Sequence, residues 1–315
     1  MKDSFDRTID YLRISVTDLC NFRCKYCMPD EGIQKIDKDQ ILSLEEIYYI
    51  AHIFIEEGVR KIRLSGGEPL VRPGLLHLVK SLGKITKLKD LAMTTNGSLL
   101  KENARSLRAF GLKRVNISLD SLKAEKFRKI GGGDLKKVLE GIEESLDLGL
   151  GVKINTVLLK GVNDDEVVDF INLTKKYPID VRFIEVMPIG PTANYAKDKF
   201  LRAEEIISSY GLKEVSKDDK SSPARLFKLD KALGRVGFIE PMTHKFCGDC
   251  NRVRLTSDGF LKPCLHSDRL IDLKTPLRKG HDIRPVIKEA LEVKPFDHKL
   301  LEGKIIKSSM NRIGG

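Results

Sequence analysis

The chain has 315 residues, enough for one large barrel or two modest domains, and its formal net charge is +11. Its apolar content of 41% is ordinary for a soluble protein. It has no apolar run near the ~18 residues of a membrane span, and residues 1–8 lack the apolar core of a secretion signal, so we expect a cytoplasmic protein that does not enter a membrane. The charge favours an anionic partner but predicts no nucleic-acid binding, because acidic residues are mixed among the 56 lysines and arginines.

Strand-like and helix-like segments alternate through the first two-thirds of the chain. One helix is predicted to begin after Ser43, because Ser43 and Glu46 form a capping-box pattern ahead of apolar residues at helical spacing. Further helices are predicted over 75–82, 102–110, 135–148 and 166–176. Strands are predicted over 11–17, 61–65, 91–96, 114–119, 152–158 and 181–187. Six β-α units in a row indicate a parallel sheet, either doubly wound or barrel-like.

The predicted strands alternate apolar and polar residues, unlike parallel strands that are buried on both faces. In the first strand, Leu12 and Ile14 share one face while Arg13 and Ser15 share the other. The apolar face is expected to pack on helices, and the polar face to line an interior that holds a polar ligand. We therefore predict an α/β fold with an incomplete (β/α)6 TIM-like barrel; a sheet with one wet face is the alternative.

The character of the sequence changes after about residue 223. Strand-like segments at 235–239 and 252–256 surround the later cysteines, and helices are predicted around 276–277 and 283–291. The polar, charged segment 216–222 is interpreted as a linker. Residues 1–222 are thus predicted to form the barrel, and residues 223–315 a smaller domain.

The first three cysteines form a C-x-x-x-C-x-x-C pattern directly after the first predicted strand, at Cys20, Cys24 and Cys27. Three thiolates are one short of the four that close an iron–sulfur cube or a structural zinc site. A loop of this spacing can hold three corners of a 4Fe–4S cluster and leave one iron open for a ligand. Zinc is the alternative metal.

The remaining three cysteines are Cys247, Cys250 and Cys264, so the chain repeats the choice of three thiolates at its other end. With no export signal, cysteines at these spacings are interpreted as metal ligands rather than disulfides. A second cluster with an open iron is one interpretation. A zinc knuckle completed by His244 or His266 is the other.

The first cysteine loop is followed one β-α unit later by Gly-Gly-Glu-Pro at 66–69, and together they resemble the radical S-adenosylmethionine superfamily over roughly residues 10–220. The resemblance implies a 4Fe–4S cluster whose open iron binds S-adenosylmethionine. It also implies that reductive cleavage gives a 5′-deoxyadenosyl radical, which abstracts hydrogen from a substrate. The family positions that contact S-adenosylmethionine map onto Tyr26, Gly67, Ser118 and Met187.

The sequence Cys-Asn-Arg-Val-Arg-Leu at 250–255 and the terminal Gly-Gly extend the resemblance to the radical enzymes that carry out the first step of molybdenum cofactor biosynthesis. This resemblance spans nearly the whole chain. It implies two 4Fe–4S clusters and conversion of GTP to (8S)-3′,8-cyclo-7,8-dihydroguanosine 5′-triphosphate. The GTP contacts map onto Arg13, Arg63, Thr94, Lys153, Arg252, Val253 and Arg254. The catalytic positions map onto Arg252, Arg254, Gly314 and Gly315.

Cations inside a barrel are costly unless they are paired, so a bound anion would explain the basic residues of the polar face. Pairing with Asp120 and Glu185 is the alternative explanation. The resemblance further implies an electron-donor protein and a downstream cyclic pyranopterin monophosphate synthase as partners, and leaves a homodimer open. Two other functions stay open as well: a radical maturase with another substrate, and a zinc-binding module that holds nucleic acid.

Overall fold

The computed structural model describes residues 1–28, 36–298, 306 and 310–314. Its strands are β1 Tyr11–Ser15, β2 Lys61–Ser65, β3 Asp90–Thr95, β4 Arg114–Ser118, β5 Gly151–Leu158, β6 Asp180–Glu185, β7 Lys213–Val215, β8 Ala224–Lys228, β9 Arg235–Ile239, β10 Arg252–Leu255, β11 Phe260–Lys262 and β12 Ile271–Asp272. Its α-helices are α1 Leu44–Glu56, α2 Leu75–Gly83, α3 Leu100–Ala109, α4 Ala124–Gly131, α5 Leu135–Asp147, α6 Val167–Lys176, α7 Ala193–Asp198, α8 Ala203–Ile207, α9 Lys274–Arg278, α10 Arg284–Glu292 and α11 Met310–Ile313. Short 3-10 helices lie at Lys38–Gln40, Pro69–Val71, Asp164–Glu166 and Gly190–Thr192.

The described strands form one mostly parallel sheet in the order β12-β11-β10-β1-β2-β3-β4-β5-β6-β9-β8-β7. Strands β1 to β6 lie side by side in chain order and run parallel, which confirms the predicted β-α alternation. Strand β10 pairs parallel with β1, and β9 pairs parallel with β6. The C-terminal strands therefore extend both edges of the sheet built by the first two-thirds of the chain.

Helix α1 begins at the predicted capping box. The Ser43 hydroxyl accepts the Glu46 N–H at 3.1 Å, and the Glu46 carboxylate accepts the Ser43 N–H at 2.7 Å. Ile47, Ala51 and Phe54 of this helix are buried against the sheet. Helix α4 was not predicted, because its apolar residues are few and interrupted by charges. Helices α7 and α8, with 6 and 5 residues, are too short to show a period.

The hydrophobic core lies between the sheet and its helices. Leu12 and Ile14 of β1 are fully buried in this core, as are Ile62 and Leu64 of β2. The polar residues between them face the other side of the sheet, as the sequence pattern predicts. This opposite side is where the chemistry-bearing side chains gather.

Residues 216–222, interpreted above as a linker, connect β7 and β8, which pair antiparallel. Two carboxylates of this segment bind the parallel sheet: Asp219 lies 2.5 Å from the Lys61 Nζ, and Asp218 lies 2.7 Å from an Arg235 Nη. The segment is thus a hairpin loop held by ion pairs, and not a free connection between separate bodies.

Candidate functional site

The polar side of the sheet encloses a cavity of about 520 Å³, here called the central cavity. Strands β1 to β6 line it together with β9 and β10. Both groups of cysteines also line it: Cys20, Cys24, Cys27, Cys247, Cys250 and Cys264. The sequence placed the two groups more than 200 positions apart, and the fold brings them to one space. All six thiols are free.

The first cysteine loop leaves β1 and is fixed by backbone hydrogen bonds to the end of α4. The Arg23 N–H donates to the Gly131 carbonyl at 2.8 Å, and the Lys25 N–H donates to the Ile130 carbonyl at 3.1 Å. The Cys24 Sγ lies so close to Gly131 that a Cβ at residue 131 would be 3.0 Å from the sulfur. Helix α4, which the sequence analysis missed, is therefore the support of this loop.

The donor set of the first loop fits an iron–sulfur cluster. Burial raises the pKa of the Cys24 thiol well above its usual value, and the nearby Asp120 carboxylate and the other two sulfurs raise it further. Three negative thiolates in such a place need a cationic centre to share, and soft thiolates are the ligands of iron–sulfur clusters. The described residues contain no set of three His, Cys, Asp or Glu side chains arranged around a single metal ion.

The glycine-rich turn after β2 lies against the backbone that leads into the first loop. The Gly67 N–H donates to the Thr17 carbonyl and the Glu68 N–H donates to the Leu19 carbonyl, both at 2.8 Å. A Cβ on residue 67 would be 2.2 Å from the Leu19 oxygen, so only glycine fits there. The turn and the cysteine loop therefore form one packed unit at the edge of the central cavity.

Glu68 of this turn is a buried acid that the sequence analysis quoted without giving it a role. Its carboxylate accepts hydrogen bonds from the Leu70 and Asn96 N–H groups and the Thr95 hydroxyl, at 3.0, 2.6 and 2.8 Å. Burial nevertheless raises its pKa to about 7. Its contacts tie the turn to the end of β3.

The four residues predicted to contact S-adenosylmethionine, which are Tyr26, Gly67, Ser118 and Met187, all line the central cavity. The Tyr26 hydroxyl donates to the Asp120 carboxylate at 2.7 Å, and burial raises the pKa of Asp120 to about 6. The Met187 sulfur lies 3.0 Å from the His266 Nε2. Tyr26 and Met187 are thus held in place by partners that also face the cavity.

Six of the seven residues predicted to contact GTP line the same cavity: Arg13, Arg63, Thr94, Lys153, Arg252 and Arg254. Val253 does not, because its fully buried side chain packs in the hydrophobic core on the other face of β10. This is the expected result of alternation on a strand that directs Arg252 and Arg254 to the cavity.

The alternative explanation for the basic residues named the wrong acids. Asp120 accepts from Tyr26 and from the Val157 N–H. Glu185 accepts from the Thr243 hydroxyl and from nearby backbone N–H groups. Lys153 does form an ion pair, but with Asp180 at 2.8 Å, and Asp180 also binds Arg235 at 3.0 Å. One of the predicted GTP contacts is therefore paired within the protein.

Other buried polar atoms of the cavity find no hydrogen-bond partner among the described residues. They include the Arg63 Nε, the Arg182 Nε, the Arg252 Nη2, the Thr94 Oγ1 and the Asn155 Oδ1. Burial and the neighbouring guanidinium groups lower the pKa of both Arg182 and Arg254 to about 10. Like charges that are desolvated together are unfavourable, so this arrangement is suited to a polyanion.

Several basic residues of the cavity escaped the sequence analysis: Lys61, Arg114, Arg182, Arg235 and Lys294. Arg182 carried a usable signal, because it alternates with Val181 and Phe183 on a predicted strand and those two residues are apolar. Arg235 and Lys294 carried none, because their approach to the cavity depends on how distant segments pack.

The second cysteine group lies on the loop before β10 and directly after β11, two strands that pair antiparallel. Burial raises the pKa of the Cys250 thiol, but the cations Arg252 and Lys294 outweigh this effect and lower the pKa to about 7. Of the two histidines considered as fourth ligands, His244 is exposed, whereas His266 lines the cavity. The thiolates of this group fit a cluster by the same donor chemistry as the first.

The C-terminal residues reach the same place. Arg254 donates to the Gly314 carbonyl at 2.5 Å and to the Ile313 carbonyl at 3.3 Å. Gly314 has φ +69°, and a Cβ there would be 2.3 Å from the Ser65 Oγ. Gly315 lies outside the described residues. The described end of the chain is therefore anchored in the fold.

Two family models together match most of the chain: the Radical SAM superfamily over residues 14–174, and Molybdenum Cofactor Synthesis C over residues 179–300. The GTP 3′,8-cyclases of Alkaliphilus metalliredigens and Peptoclostridium acidaminophilum are each 51% identical to it; the alignments cover 100% of both chains for the first, and 99% of this chain and 98% of the relative for the second. The GTP 3′,8-cyclase of Clostridium botulinum strain Langeland is 50% identical, with 100% of both chains covered.

Among solved structures, Streptococcus suis SuiB bound to S-adenosylmethionine superposes with a TM-score of 0.59 at 14% identity. The match covers 82% of this chain and 61% of SuiB, and it concerns the fold alone. The matched fold and the cysteine loop are those of a radical S-adenosylmethionine protein. Within that superfamily, the chain belongs to the GTP 3′,8-cyclase family. None of the helices in the described part combines the length and apolar character needed to cross a membrane.

Proposed function

We propose that this chain is a radical S-adenosylmethionine lyase that converts GTP to (8S)-3′,8-cyclo-7,8-dihydroguanosine 5′-triphosphate, the first step of molybdenum cofactor biosynthesis. The observation that carries the proposal is that two groups of three cysteines and a set of desolvated arginines face one cavity. Neither cysteine group alone requires a nucleotide, whereas buried guanidinium groups that share one cavity with both cysteine groups favour an anionic substrate there.

Each cysteine group would hold one 4Fe–4S cluster: Cys20, Cys24 and Cys27 the first, and Cys247, Cys250 and Cys264 the second. When bound, the first cluster supplies the electron that cleaves S-adenosylmethionine and starts the radical reaction. Tyr26, Gly67, Ser118 and Met187 would position S-adenosylmethionine. The tight contact of Gly67 with the backbone before Cys20 supports this placement, because it joins the glycine-rich turn to the first cysteine loop.

The GTP contacts proposed are Arg13, Arg63, Thr94, Lys153, Arg252, Val253 and Arg254. For Val253 the contact would be through the main chain, because its side chain is in the core. The catalytic group would comprise Arg252, Arg254, Gly314 and Gly315. The bond from Arg254 to the Gly314 carbonyl supports a tail that closes on the substrate.

We also propose that residues 1–222 form an incomplete (β/α)6 barrel and that residues 223–315 form the part that carries the second cluster. The division is one of roles, because the sheet is continuous across it. A cytoplasmic location, an electron-donor protein, a downstream cyclic pyranopterin monophosphate synthase and a homodimer belong to the same proposal.

The proposal is tested on anaerobically purified protein incubated with S-adenosylmethionine, a reductant and each nucleoside triphosphate in turn. We expect about eight irons per chain, on the order of four per cluster, and 5′-deoxyadenosine formed in preference with GTP. A colourless protein with about one zinc per site would instead support the zinc-binding module. Equal 5′-deoxyadenosine formation with and without nucleotide would point to a radical enzyme with another substrate.

A further inference from the structure

A buried lysine touches the second cysteine group. Lys294 follows α10 and is 2% exposed. Its Nζ donates to the Arg252 carbonyl at 2.9 Å and to the Pro263 carbonyl at 2.8 Å, and it lies 3.7 Å from the Cys250 sulfur. Within the described part of the chain, the groups that it faces in these contacts are two carbonyls and a thiol, and none is a carboxylate. An ammonium buried in this way is expensive unless it has a negative neighbour.

The two carbonyls belong to the segments that carry two of the cysteines. Arg252 is two residues after Cys250, and Pro263 directly precedes Cys264. One ammonium therefore bridges the start of β10 and the end of β11 at the point where the two sulfurs must keep a set spacing. The remaining cysteine of the group, Cys247, is tied to the residue that follows Lys294. Arg7 donates to the Cys247 carbonyl at 2.8 Å and to the Pro295 carbonyl at 2.8 Å.

We propose that Lys294 is a positioning residue for the second cysteine group, which fixes the segments of Cys250 and Cys264 and raises the reduction potential of the cluster held there. The inference rests on the proposed function, since it requires that cluster. Each electron that enters an iron–sulfur cluster adds negative charge, and a cation a few ångströms from a ligand sulfur stabilises the reduced form. The charge also accounts for a lysine at a buried position where an apolar residue would avoid the cost of burial.

The test compares Lys294→Met with Lys288→Met. Lys288 lies on α10 with 80% of its side chain exposed, so the control removes the same charge six residues before Lys294 in the chain. Two quantities are measured. One is the iron content per chain, and the other is the reduction potential of each cluster, from a redox titration followed by electron paramagnetic resonance. For Lys294→Met we expect at least a tenfold shift toward the oxidised form of the second cluster, about 59 mV for one electron, or loss of about four irons per chain. The first cluster and GTP-independent S-adenosylmethionine cleavage should match the control.

Lys294→Arg keeps the charge and should restore the second-cluster potential toward the wild-type value. Iron content and potentials of Lys294→Met equal to those of Lys288→Met would overturn the inference. Loss of iron from both clusters would also overturn it, because Lys294 would then support the fold in general. Wild-type protein with only about four irons is a different result, since it refutes the second cluster in the proposed function and, with it, this inference.

Discussion

Gly67 offers the sharpest test of how the glycine-rich turn after β2 and the first cysteine loop depend on each other. In Gly67→Ala the new Cβ would be 2.2 Å from the Leu19 oxygen, 2.5 Å from the Leu19 carbonyl carbon and 2.8 Å from the Asp18 oxygen. All three atoms are backbone, so no side chain can turn away to make room. The backbone at Asp18 and Leu19, just before Cys20, has to move.

The cost can be worked out from the contacts that this movement breaks. The hydrogen bonds from Gly67 N–H to Thr17 and from Glu68 N–H to Leu19 would be lost, at about 1 kcal/mol each. Overpacking adds roughly 1–3 kcal/mol. Together they disfavour the competent loop by about 3–5 kcal/mol, and each ~1.4 kcal/mol is a factor of ten. We therefore expect at least a hundredfold loss of S-adenosylmethionine cleavage.

The assay is 5′-deoxyadenosine formation by anaerobically reconstituted protein, with iron counted on the same sample. Gly248→Ala is the matched control, because it makes the same change next to Cys247, where the Cβ meets nothing within 4 Å. Its activity should stay within about threefold of wild type, on the order expected for a surface substitution of up to ±0.5 kcal/mol. A Gly67→Ala protein that cleaves S-adenosylmethionine as fast as the control would refute the reasoning.

Three further predictions concern the substrate side and the fold. Gly314→Ala should lower GTP conversion at least tenfold with iron content unchanged, because the Cβ would be 2.3 Å from the Ser65 Oγ. Adding Ser65→Ala should restore part of the lost conversion. Unchanged conversion in the single variant would contradict a closely packed tail. Arg252→Ala should lower GTP-dependent product about tenfold or more, as for a lost charged hydrogen bond, while GTP-independent 5′-deoxyadenosine formation continues; loss of both would make the residue structural. Burial raises the pKa of Asp180, but opposing interactions, led by the hydrogen bond from Arg235, outweigh this effect. The pKa of Asp180 is about 2, below the ordinary ~3.9. The stabilisation is then complete above about pH 4 and lost as pH falls toward 2, so Asp180→Asn should lose less stability than wild type between pH 5 and 3 in denaturant unfolding; equal losses would argue against this ion pair.

The local sequence was sufficient for the repeating part of the fold. Each of β1 to β6 was predicted within two residues at either end, because strand alternation and helix caps depend on neighbours along the chain. Alternation also predicted correctly that Arg13, Arg63 and Lys153 face away from the core. The same rule explains the one side chain that does not reach the cavity, Val253.

Short and weakly patterned elements escaped prediction for the same reason. Strands β7, β11 and β12 have 3, 3 and 2 residues, which are too few to distinguish a pattern from chance. Strand β8 has 5 residues, but its neighbouring Leu226 and Phe227 are both apolar, so its sequence does not alternate. The segment 216–222 looked like a linker because it is polar and charged. Its carboxylates bind Lys61 and Arg235, and nothing in its own composition names those partners.

The residue types, the two groups of three cysteines and the parallel β-α repeat can all be read from the chain itself, since each depends on spacing over a few residues. The meeting of both cysteine groups at one cavity cannot, because it requires β10 to pair with β1 across more than 200 residues. Nor can the contact of Lys294 with the second group, or that of Arg254 with the tail. These depend on which distant surfaces exclude water from each other, and that is decided only when the C-terminal strands join both edges of the sheet.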